Sequence, residues 1–150
     1  MPKLTFTLTS LLSLSCLFWS CSSADEVKEA ENDVFAIHDE VMPKTSNILK
    51  LQKQLKQRMA SLDSLKATGS AAATLRVDEE KEQAMRLSRN LKVADSLMMD
   101  WMSRYNGDTL AKLSSEQALN YLAAQKDQIT DVKTKVNVSI EQVKQFLEKK

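Results

Sequence analysis

Val27, Val34, Val41, Ile48, Leu55 and Leu62 stand seven residues apart, with polar residues filling most of the space between them. Ala30, Ile37, Leu51 and Leu65 mark a second position of the same heptad, interrupted by Lys44 and Arg58. Apolar side chains at this spacing line one stripe of an α-helix, so a first long amphipathic helix is expected. The register passes through Pro43 without slipping. Proline removes the helical donor to the Asp39 carbonyl, so a kink is expected there rather than an end to the helix. "ATGSAAAT" around Gly69 predicts the first turn, and "VDEEKEQ" is expected in the first turns of a second helix, where its acids suit the positive end of the dipole. Ala84, Leu87, Leu91, Ala94, Met98, Trp101 and Tyr105 then follow in steps of three and four. "NGD" is expected to stop that helix, with Gly107 as a left-handed cap. In "LSSEQ", Ser114 and Gln117 form a capping-box pattern that opens a third helix. Its stripe is Ala118, Leu122, Ile129, Val132, Val136, Val143 and Phe146, interrupted by Gln125 and Ser139.

Short connections make neighbouring helices antiparallel. The expected fold is therefore all-α, with three long antiparallel helices in an up-down-up bundle or coiled coil over residues 27–150. Two glycines, two prolines and 43% hydrophobic residues suit long helices and lend sheet little support.

Charge does not change the fold but narrows the partners. The chain has 21 basic and 20 acidic residues. Nothing in that balance points to nucleic acid. The charges are segregated, because acids dominate from Asp25 to Glu40 and bases from Lys44 to Lys66. A solvated helical surface accounts for this.

The N-terminus reads as a targeting segment. Lys3 is followed by the apolar run "LTFTLTSLLSLSCLFW", which is short for a membrane-spanning helix. The run ends at Ser20-Cys21, followed by "SSADE". A small residue directly before cysteine at this place is similar to a bacterial lipobox, although Phe18 stands where leucine is usual. Residues 1–20 are expected to be a lipoprotein-type signal peptide, Cys21 the lipidated residue, and 21–26 an acylated tether. Removal of the signal takes Cys16, and acylation blocks Cys21, so the mature fold is expected to hold no disulfide and no cysteine ligand.

Two short stretches carry candidate chemistry. "HDEVMPK" (38–44) holds the only histidine, and "MMDWM" (98–102) holds three of the seven methionines. Residues level with one another across the first hairpin have numbers that sum to about 141, and across the second to about 220, given equal rise along each helix. His38 then lies opposite Ser103, Met42 opposite Met99, and the Met98–Met102 segment faces Ala118–Leu122, including Tyr121. His38 and Met42 share a helix face, as do Met98, Trp101 and Met102. Thioethers with an imidazole favour Cu(I) or Ag(I), and an indole face attracts a cation. Copper is the alternative cofactor on this reading, with His38, Met42, Met98 and Met102 as ligands and Trp101 as cation face. The prior expectation is that these side chains pack a core and hold no cofactor.

At these residues the chain resembles a family of short bacterial lipoproteins often labelled "viral A-type inclusion protein". The likeness rests on the lipobox-like start, "HDEVMPK" with the following "ILKLQKQLK", and "ADSLMMDWM". One departure is Thr45, where members of that family tend to carry methionine. The resemblance implies a small helical envelope lipoprotein and supplies no mechanism.

No enzyme is expected. Only His38 is available to a nucleophile triad, and phosphate-binding glycine loops, HExxH and CxxCH are all absent from the sequence. The expected role is a membrane-anchored interaction or scaffold module in the bacterial cell envelope, the outer membrane first, with an unidentified envelope protein as partner.

Overall fold

A computed structural model describes residues 19–149, and the side chains of 23–149. The expected signal segment lies almost wholly outside them, as does the side chain of Cys21. Five α-helices follow one another: α1 (Trp19–Val41), α2 (Thr45–Thr68), α3 (Ala71–Arg104), α4 (Gly107–Leu110) and α5 (Ser115–Glu148). No strand occurs among the described residues. The protein is an all-α helical bundle in which α1 and α2 form one rod, α3 returns antiparallel, and α5 runs back again. The backbone of α1 begins before residue 27, so the stretch expected as a tether is already helical.

Pro43 does interrupt the α-helix. Met42–Lys44 form a single 3-10 turn, and the flanking Val41 and Thr45 keep right-handed helical angles. Thr45 donates its backbone N–H and its hydroxyl to the Met42 carbonyl, tightening the turn where proline has removed a donor. The rod therefore continues, and Val34, Val41, Ile48, Leu55 and Leu62 are all buried as one seam. Leu65 departs from expectation: it is 56% exposed. Lys44 leaves the apolar seam for Glu40 and Asn137, and Arg58 does so for Glu80.

Ser70 accepts from the Ala73 N–H and starts α3 two residues after α2 ends. The acids of "VDEEKEQ" consequently sit past the first turn, which has none. They bind across the hairpin instead: Asp78 to Lys66 and Glu80 to Arg58, with Lys81 answering Asp63.

Gly107 does not take a left-handed conformation, and no described residue has positive φ. Tyr105 and Asn106 are extended, Asn106 caps α4 through its side chain, and Gly107 opens that helix. This alters the stagger of the bundle. Lys126 reaches Asp33, Lys133 reaches Glu40, and Asn137 reaches Lys44, always 93 residues apart, so α5 runs parallel to α1 in constant register. Extending that register sets the first turns of α5 beside the first turns of α1. The last turn of α3 reaches only the middle of α1, where Tyr105 bonds Glu31 and Trp101 meets His38. The link from 105 to 114 takes the third place beyond α3, with Leu110 buried in the core. At the other end the Gly69–Ser70 hairpin overshoots α5 and stands as a two-helix tip.

Candidate functional site

The aromatic and sulfur side chains gather where α3 ends against α1. His38 is one residue past Ile37 on the seam's shoulder, which leaves its side chain 19% exposed. Its imidazole stacks on the Trp101 indole, with centroids 5.6 Å apart and planes 30° from parallel. Trp101 in turn meets Tyr105 at 5.4 Å, and Phe35 closes edge-on against both Tyr105 and His38. These rings fill the space between α1 and the last turns of α3.

His38 also makes two polar contacts. Nδ1 lies 2.9 Å from Asp39 Oδ1, and Nε2 lies 3.4 Å from Met102 Sδ. A carboxylate only accepts, so the contact with Asp39 assigns the Nδ1 proton. The lone pair of a neutral imidazole then faces the thioether sulfur.

Trp101 is almost wholly buried, and its Nε1–H finds no acceptor. Leaving such a donor unpaired costs about 1–3 kcal/mol. Stacking and burial set the position of this indole, and its N–H plays no part.

The Tyr105 hydroxyl donates to Glu31 at 2.8 Å. Burial, helped by that neighbouring carboxylate, pushes the phenol well above its ordinary range. Its hydroxyl is therefore held as a donor. Tyr121 packs beside Tyr105 and accepts the Asn106 N–H, closing the cluster toward α4.

The sequence-predicted residues divide into two groups. His38, Met102 and Trp101 come together, though beside the middle of α1 and not at the end of the bundle. Met98 is fully buried in the core, and Met42 is half-buried and packs against it. The expected pairing of Met98–Met102 with Ala118–Leu122 is corrected by the stagger. By the 93-residue register that segment lies level with a later stretch of α5, around Ile129 and Val132, while Tyr121 meets Tyr105. Phe35, Tyr105 and Glu31 were not among the expected site residues. Phe35 and Glu31 sit off the heptad stripe, so only their meeting with α3 reveals them. Among the described residues no group of three or more His, Cys, Asp or Glu is placed to hold a metal ion. Methionine sulfur lies outside that chemistry.

No family model, no curated protein and no solved structure matches the chain.

Proposed function

We propose that the protein is a membrane-tethered helical spacer that presents an interaction surface in the bacterial cell envelope. The observation that carries this reading is the lipobox-like Ser20-Cys21 placed directly at the start of α1. An acyl chain on Cys21 would hold that end of the rod at a bilayer, and several chains together anchor stably. Among the described residues no helix is long and apolar enough to cross a membrane, so the reading rests on the lipid. Residues 21–68, at about 1.5 Å each, carry the opposite end roughly 70 Å away.

That distal end is the two-helix tip of α2 and α3. Leu65 and Leu75 lie exposed there, at 56% and 67%, beside the cross-hairpin ion pairs. A long helical rod with exposed leucines at its far end suits bridging better than catalysis. The partner is a second envelope protein.

Metabolic labelling with palmitate tests the anchor. Label should enter the wild-type chain, fail to enter Cys21→Ser, and leave Cys16→Ser unaffected. Equal labelling of wild type and Cys21→Ser, or release of the wild-type protein in soluble form, rejects the tether.

A further inference from the structure

We propose that His38 Nε2 and Met102 Sδ form a soft-cation site for Cu(I) or Ag(I) at the contact of α1 with α3. With Nδ1 committed to Asp39, Nε2 brings a lone pair to within 3.4 Å of a sulfur that also offers only lone pairs. At that distance the two atoms are in van der Waals contact with their lone pairs facing, an arrangement that an electron acceptor between them would stabilise. A proton on Nε2 is one answer, and a soft cation is the other. The geometry suits the cation. Ligand distances like those at zinc, about 2.0 Å to nitrogen and 2.3 Å to sulfur, would put the two donors roughly 3.5–3.7 Å apart at tetrahedral or trigonal angles. The side chains therefore need to open by only a few tenths of an ångström.

Three surrounding features favour the same assignment. Asp39 holds the far nitrogen of the imidazole, the arrangement that orients metal-bound histidines. The Trp101 face lies under the imidazole, where charge added to that ring is attracted by the indole. His38 and Met102 are both partly exposed, so an ion reaches them without unfolding the bundle. Met42, one turn from His38, offers a second thioether on the same face, whereas Met98 belongs to the core. The donor set of imidazole and thioether selects a soft monovalent ion over zinc.

The test uses the full chain carrying Cys16→Ser, Cys21→Ser and Trp19→Phe, so that no thiol competes and Trp101 is the sole tryptophan. Silver nitrate is titrated in chloride-free buffer while Trp101 emission and bound silver are followed. Cu(I) is then titrated anaerobically with a reductant. One equivalent of each ion should bind with quenching of Trp101, and Zn(II) should not. His38→Gln and Met102→Leu should each weaken binding at least about tenfold. Met102→Leu roughly conserves volume, so its melting temperature should stay near that of the parent chain. Equal silver affinity in the parent and His38→Gln chains overturns the proposal, and so does binding without a change in Trp101 emission. If the parent binds neither ion, the contact is a hydrogen bond or plain packing and the proposal is wrong.

Discussion

Leu55 and Leu65 both follow the first helix's heptad, yet the structure buries Leu55 completely and leaves Leu65 exposed. Substituting each by aspartate separates a true seam position from an apparent one. Leu55 belongs to the continuous core. Truncating such a leucine to alanine costs about 2–5 kcal/mol, through lost transfer free energy and the cavity left behind. Aspartate at that position adds the cost of burying a carboxyl group without a partner, roughly 3–5 kcal/mol when it stays charged. The combined loss matches most of the 5–15 kcal/mol that about bounds the stability of a domain. Leu55→Asp should therefore be largely unfolded at room temperature, and Leu55→Ala should melt roughly 5–15 °C lower than wild type. Leu65→Asp should change stability by no more than about 0.5 kcal/mol, since its side chain is already in water. Urea and thermal unfolding followed by far-ultraviolet circular dichroism read all three. If Leu55→Asp folds as well as wild type, or if Leu65→Asp falls as far as Leu55→Asp, the seam has been drawn wrongly.

Two smaller tests probe the ends and the surface of the bundle. Ser114→Ala should cost about 1 kcal/mol, because the hydroxyl accepts from the Gln117 N–H while Gln117 answers the Ser114 N–H; urea midpoints that coincide for the two proteins would show the box to be energetically idle. Hydrogen bonds from Lys133 first and Lys44 second hold the Glu40 carboxyl below its ordinary value of 4.5. A lowered folded-state value means stability that is present above that pH and is lost as pH falls through the folded value. The melting-temperature gap between wild type and Glu40→Gln should thus be open at neutral pH and close in acid, and a gap that persists unchanged in acid would contradict this linkage.

The faces of the helices were legible in the sequence, because periodicity reports which side of a helix meets the core. All of the α3 stripe from Ala84 to Trp101 is buried, and so is every named apolar position of α5. Even the interruptions obey the period: Gln125 and Ser139 are buried at the stripe positions they occupy. Periodicity does not report axial offset, and there the reading failed. A link such as 105–114 fits a tight reversal and an axial run equally well, since both keep the flanking stripes in phase. The signal that distinguishes them is Leu110 with Leu113, two apolar residues three apart in a stretch taken for a turn. A reversal would leave both in water, whereas an axial run gives them a core to enter, and Leu110 is buried.

The offset also explains why the His38–Met102 contact does not depend on the level of α5. His38 and Met102 meet across the first hairpin, whose two-residue turn at Gly69 and Ser70 leaves little freedom in the level of α1 against α3. The mistaken level concerned α5, which reaches the cluster through Tyr121 against Tyr105. Ending α3 at mid-height on α1 has a physical consequence of its own. The last turn of α3 has no further helical turn beyond it, so Met102 and Tyr105 lie at a step in the bundle where α4 begins. Side chains at such a step are partly covered, which is why His38 and Met102 remain reachable while Met98, one turn earlier, is sealed in the core. Had the link reversed tightly, α5 would have begun level with the end of α3, and the histidine–sulfur contact would have stood near the end of the three-helix section.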